Sequence, residues 1–175
     1  MGQYTPLPLP TDPIHVQLKN KVAWNTDRSK EDADFYTVSY AGRTIEDVLQ
    51  ALQSANVATV LDIRHTPVSM YKPEFSKHNL RRRLEANGLH YLHLPDLGIP
   101  REIRGLAIGR PNRDDLWAWY DRHVVERFIG GNLHRFLNCV EHPVALLCVE
   151  MDPTSCHRHR LGLALERHRL RSFDL

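Results

Sequence analysis

Val57-Ala58-Thr59-Val60-Leu61-Asp62-Ile63 is an almost unbroken apolar run whose end carries a charged pair, Asp62 and Arg64. A run of strand length with this character belongs inside a sheet that is covered on both faces, where parallel strands are found. The sequence on either side alternates strand with helix. Upstream, Phe35 to Tyr40 reads as a first strand, rich in aromatic and β-branched residues. Thr44 is placed to cap a helix carrying Ile45, Val48, Leu49 and Leu52 at helical spacing, and Asp47 completes an acidic capping box. Downstream, a helix from about Lys77 to Ala86 runs through Asn87-Gly88, a natural C-terminal cap, into a strand from Leu89 to Leu94. Pro95 to Asn112 reads as loop, with Gly98, Gly105 and Gly109. Helical patterns follow over Asp114 to Phe128 and Gly131 to Val140, then a strand over Val144 to Val149 and a helix after Cys156. Arg171 to Leu175 reads as a short last strand. This alternation predicts an α/β fold: a three-layer α/β/α domain with a mainly parallel sheet.

The chain has 175 residues, enough for one domain with a proper core. Its hydrophobic and charged fractions, 42% and 25%, are those of an ordinary soluble protein. A net charge of +2 does not announce a nucleic-acid binder, although Arg81-Arg82-Arg83 and the pair Arg101 and Arg104 are local basic clusters. Three cysteines at irregular spacing do not make a disulfide framework. Free thiols in a reducing, cytoplasmic compartment are expected. No apolar run approaches the ~20 residues of a membrane span, and the N-terminus lacks a secretory pattern. Residues 1–35 read as an extension to the domain of residues 36–175. Pro6, Pro8, Pro10 and Pro13 preclude a regular helix there, and Trp24 is its expected anchor, on the domain surface or in a homodimer.

In parallel sheets, ligands bind beyond the carboxyl ends of the strands. That rule gathers Tyr40, Asp62, Arg64, Leu94 and Glu150 on one rim, together with the loop before Cys156. Cys156 is placed at a helix start beside His157 and Arg158, where free N–H groups and positive charge favour a thiolate. It reads as a nucleophile against the blander alternative of a small buried residue. Glu150 ends a strand and reads as a base or positioning carboxylate, whereas Asp152 ahead of Pro153 reads as turn chemistry. Asp62 and Arg64 project to the same side, either as a structural ion pair or as a base with an anion-binding guanidinium. Arg158 and His157 are expected to bind the anion, and Tyr40 to line the pocket. Cys148 in its apolar strand and Cys139 read as structural. Arg81 to Arg83 fan around a helix and read as solvated, unless with Lys72, Lys77, Arg101 and Arg104 they frame a phosphate-binding rim. Trp117, Trp119 and Tyr120 read as a core-packing helix face.

The segments Thr37 to Thr44, Asp62-Ile63-Arg64 with Pro67 and Phe75, His93-Leu94-Pro95 with Leu97-Gly98, Leu147 to Glu150 and Cys156-His157-Arg158 together resemble the DUF488 family. The resemblance spans roughly residues 36 to 175. It implies a compact α/β domain and brings no settled activity. Ser39-Tyr40 stands where that family tends to carry Gly-His.

Two function classes follow. The first is a cysteine-dependent enzyme of sulfur or acyl transfer on an anionic or nucleotide-like substrate, with Cys156, Glu150 and Asp62 at the chemistry. The second is a non-catalytic module that holds a nucleotide or nucleic acid on the same rim. No cofactor is expected. No metal is expected either: no Cys-x-x-Cys or His-x-x-x-His is present, His157 and His159 point to different sides of a helix, and Arg158 and Arg160 repel cations.

Overall fold

The central strand of the sheet is the run Val144–Cys148, β4, flanked by β1 (Phe35–Ser39) and β2 (Thr59–Asp62). A computed structural model describes residues 29–105, 107–109 and 113–175 of the chain. With β3 (His90–His93) and β5 (Ser172–Asp174) the strand order is β3-β2-β4-β1-β5, and every pairing is parallel. The α/β reading therefore holds, with helices covering both faces.

Alternation along the strands divides the core in two. Val144, Leu146 and Cys148 face one layer with Phe35, Leu61 and Ile63, while Ala145 and Leu147 face the other with Tyr36, Val38 and Val60. The second layer is closed by α1 (Ile45–Ser54) and α2 (Lys77–Glu85). Thr44 caps α1 as expected: its hydroxyl accepts from the Asp47 N–H, and the Asp47 carboxylate accepts from the Thr44 N–H at 2.8 Å. The first layer is closed by α4 (Asp114–Tyr120), a π-turn over Asp121–Val125, α5 (Glu126–Gly131), α6 (Leu133–Asn138) and α7 (His157–Arg167).

Two stretches differ from expectation. The region read as loop after Pro95 contains a 3-10 turn, Pro95–Leu97, and the short helix α3, Arg101–Gly105. Leu97, Ile99 and Ile103 are buried, and their spacing lets a Pro- and Gly-rich segment fold onto the sheet. The helix beginning at Asp114 continues through the π-turn to Gly131 rather than stopping at Phe128. The Pro cluster and Trp24 of the extension lie outside the described residues. Its last part is tied to the domain: Lys30 Nζ donates to Ser54 Oγ at 2.7 Å, and Arg171 Nε donates to the Asp34 carboxylate at 3.2 Å. Phe35 opens β1, in agreement with the strand read from Phe35 to Tyr40 in the sequence.

Gly98 fixes how closely the loop after β3 approaches the end of β2. A Cβ there would lie 2.1 Å from the His65 backbone nitrogen, a clash with backbone that no rotamer change relieves. Gly98→Ala is expected to cost about 1–3 kcal/mol, as forced overpacking does. Thermal unfolding checks this: the midpoint should fall by several degrees, and an unchanged midpoint would refute the close contact.

Candidate functional site

β1, β2 and β4 all end at one edge, and the chain beyond each contributes to a cleft of about 270 Å³. Past β1 comes Tyr40; past β2 come Arg64, His65 and Thr66; past β4 come Val149 and Glu150, with Cys148 as the last strand residue. Arg101 and Arg104 from α3, Arg113, and Trp117 from α4 complete the wall.

The β2 edge is set by a buried polar network. Arg64 donates to both carboxylate oxygens of Asp62, Nε at 2.7 Å and Nη2 at 2.5 Å. Tyr91 donates its hydroxyl to Asp62 at 2.7 Å, and Arg64 Nη1 donates to the Tyr40 hydroxyl at 3.1 Å. The Tyr40 ring stacks on Phe75 with centroids 4.3 Å apart. Burial works against the Arg64 charge, but the Asp62 carboxylate outweighs it and raises the guanidinium pKa above its ordinary value. Burial and the same carboxylate also raise the Tyr91 phenol.

At the β4 edge, alternation sends Cys148 and Glu150 to the same side. Cys148 Sγ lies 3.2 Å from Glu150 Oε2 and 3.6 Å from His157 Nδ1. Cys156 Sγ is 4.0 Å from the same nitrogen. The other ring nitrogen, His157 Nε2, faces the Ile63 carbonyl oxygen at 3.0 Å. With Nε2–H donating to that carbonyl, Nδ1 carries the lone pair, and Cys148 Sγ lies at similar distances from the two ring nitrogens, 3.6 Å and 3.8 Å. Burial penalises the Glu150 charge, but hydrogen bonds from Cys156, the backbone and Cys148 hold its pKa below the ordinary carboxylate value. Burial likewise opposes an imidazolium at His157, yet Cys156, the Ile63 carbonyl and Glu150 raise its pKa.

The structure brings Cys156, Glu150, His157, Asp62, Arg64 and Tyr40 to one end of the sheet, but not in equal positions. Cys156 stands at the N-cap position of α7 without a capping hydrogen bond from its side chain, is 1% exposed and lies behind the cleft wall, which Cys148 lines instead. The depressed thiol pKa expected at that helix start is reversed: burial, followed by the neighbouring Cys148, pushes the Cys156 thiol up. Arg158 is 0% exposed and absent from the cleft wall; it donates to the carbonyls of Glu150 and Met151 and to Asp174. Its guanidinium fastens the turn after β4 to β5 and is not open to a ligand. Asp62 is wholly buried and engaged by Arg64 and Tyr91, so it positions Arg64. Asp152 accepts from the Thr154 N–H in its turn, as read from sequence.

Sequence reading passed over Cys148 as core and did not use Arg113. The available signal was the two-residue step from Cys148 to Glu150, which places both on one side of a strand end. The four ligand atoms of Cys148, Glu150, Cys156 and His157 lie within 4.8 Å of one another. The expectation of no metal weighed only residues close in sequence, whereas these four come from a strand end and a helix start.

Alkylation of the folded protein should modify the exposed Cys139 first, Cys148 next and Cys156 last. Peptide mapping after timed iodoacetamide treatment reads the order, and Cys156 labelling ahead of Cys148 would contradict this geometry. Arg158→Ala should destabilise by about 3 kcal/mol, as losing one member of a buried charged network does. Urea unfolding measures this; a loss below ~0.5 kcal/mol would place Arg158 among surface charges instead.

Comparison with curated proteins and with solved structures gave no match. A family model described as "Domain of unknown function DUF488" matches residues 44–165, which takes in α1 through most of α7 and every residue of the cluster. The chain belongs to the DUF488 family.

Proposed function

We propose that this protein is an enzyme of thiol chemistry, sulfur or acyl transfer, acting on a small anionic or nucleotide-like substrate. The observation that carries the reading is the meeting of Cys148, His157 and Glu150 at a cleft lined by four arginines, Arg64, Arg101, Arg104 and Arg113. Among the described residues, Glu150 is the single acidic one of that lining. Arg64 is neutralised by Asp62, whereas Arg101 and Arg104 are exposed and form no ion pair with a described carboxylate. Their charge is free to hold an anion, and a bidentate contact to phosphate or carboxylate suits a guanidinium. In an acyl transfer, the Cys148 sulfur would bond to the substrate carbonyl carbon as its proton passes to His157 Nδ1. The leaving group would depart with that proton, and water would release the acyl group in a second step. Glu150 would steady the imidazolium, and Tyr40 would line the wall beside Arg64.

A second reading, a module that binds a nucleotide or nucleic acid without covalent chemistry, is favoured by the burial of both thiols, 2% and 1% exposed. One set of titrations separates the two. Arg101→Ala and Arg104→Ala should each weaken phosphate and nucleotide binding about fivefold or more, a loss of about 1 kcal/mol. Arg82→Ala, on the solvated face of α2, should change it less than about twofold. Binding that survives Cys148→Ser while turnover of activated acyl and sulfur donors disappears supports the enzyme. Anion binding with no Cys148-dependent chemistry supports the module. Absence of anion binding removes both.

A further inference from the structure

We propose that Cys148, Glu150, Cys156 and His157 form a binding site for one thiophilic divalent cation of the zinc class. Two thiolates, an imidazole and a carboxylate are a ligand set zinc takes, in four-coordinate tetrahedral geometry. Bond lengths of 2.0–2.3 Å in such a site imply ligand-to-ligand edges of about 3.3–3.8 Å. Three edges of the cluster measure 3.2 Å (Cys148 to Glu150), 3.6 Å (Cys148 to His157) and 4.0 Å (Cys156 to His157). These three edges bracket the required range, and all four atoms lie within 4.8 Å of one another, so closing the site asks for side-chain shifts of at most about 1 Å.

A second observation concerns the histidine. Metal-ligating imidazoles donate their other N–H to a carbonyl or carboxylate, which fixes the ring and its tautomer. The Ile63 carbonyl does this for His157 Nε2 at 3.0 Å, leaving Nδ1 as the nitrogen with a free lone pair, 3.6 Å from Cys148 Sγ and 4.0 Å from Cys156 Sγ. Three nearby cations are already engaged elsewhere. Arg158 is engaged by Asp174 and two backbone carbonyls, Arg160 is paired with Asp121, and Arg64 with Asp62. On binding, each thiol gives its proton to solvent and forms a metal–sulfur bond, Nδ1 donates its lone pair, and Glu150 supplies one oxygen. Three negative charges then meet two positive ones.

The inference goes beyond the thiol reading and uses the same atoms differently. A bound cation occupies the Cys148 sulfur and the Nδ1 lone pair, so metal occupancy and nucleophilic chemistry exclude each other. Cys148, Glu150 and His157 line the cleft, and Cys156 closes the site from behind. The cation would therefore sit at the end of an anion-binding cleft and silence its thiol.

The test uses the full chain, reduced and freed of metal by a chelator. Titration with cobalt(II) should give one equivalent bound and a near-ultraviolet thiolate-to-cobalt charge-transfer band with the intensity of two thiolates. Zinc chloride should displace it. Cys156→Ser and His157→Gln should each weaken zinc binding by at least about a hundredfold, since losing even an outer-sphere partner costs 10–100-fold. Cys139→Ser should leave it unchanged. Glu150→Gln, which keeps both thiols and the core, covers the case in which a cysteine variant fails to fold, and should weaken zinc at least about tenfold. Absence of the band in wild type, a band of one thiolate, or zinc binding indifferent to all three ligand variants overturns the site. Alkylation of Cys148 in the metal-free protein is read separately, so the thiol chemistry can fail while the metal site stands, and the reverse.

Discussion

The end of β2 is the constraint on which the rest of the site depends. Asp62 and Arg64 are held together by two side-chain hydrogen bonds, and Ile63 between them presents its carbonyl to His157. Alternation along the strand sends the ion pair to one face and Ile63 to the other. One short segment thus fixes the guanidinium on the cleft wall and the imidazole at its end. Such a buried pair is weak evidence for stability, because desolvation offsets much of its Coulomb gain. Its effect here is geometric. Tyr91 donates a further hydrogen bond to Asp62, Tyr40 accepts from the remaining guanidinium nitrogen, and Phe75 holds the Tyr40 ring, so Arg64 has little freedom to turn away.

β4 supplies the complementary half. As the middle strand, it is covered on both faces, and parallel pairing with β1 on one side and β2 on the other holds its register. Its terminal alternation carries the chemistry out of the core, with Cys148 still in the apolar layer and Glu150 two residues beyond. Arg158 then fastens the turn by bonding the Glu150 and Met151 carbonyls, so the most deeply buried charge of the motif is a clamp that lets Glu150 and α7 keep their separation.

The fold was legible because its signals are local. The apolar run of β2, the Thr44–Asp47 capping box and the Asn87-Gly88 cap each specify an element from a few residues, and Gly88 does adopt positive φ, +76°. The α3 segment was hidden because Pro100 and Gly105 bracket a helix of five residues, too short for periodicity to show. The site was legible by position and not by role. Strand ends named Tyr40, Asp62, Arg64 and Glu150, and the helix start named Cys156. Depth within the fold was not visible, and depth decides the chemistry. A helix N-terminus favours a thiolate only when solvent or a counter-charge can support it, and Cys156 sits under the wall among apolar residues. Cys148 was hidden for the opposite reason: its sequence surroundings are those of core, and only the ending of its strand at the cleft brings its sulfur to the wall.

The account's central claim is that a thiol at the end of β4 is reached through a cationic cleft. The most direct measurement compares how fast anionic iodoacetate and neutral iodoacetamide modify Cys148 and the exposed Cys139 in the same metal-free protein. The predicted result is a rate ratio favouring iodoacetate at Cys148 by about tenfold over Cys139, shrinking when salt is raised and when Arg101 or Arg104 is replaced by alanine. The same ratio at both cysteines, or no labelling of Cys148 by either reagent, would contradict it.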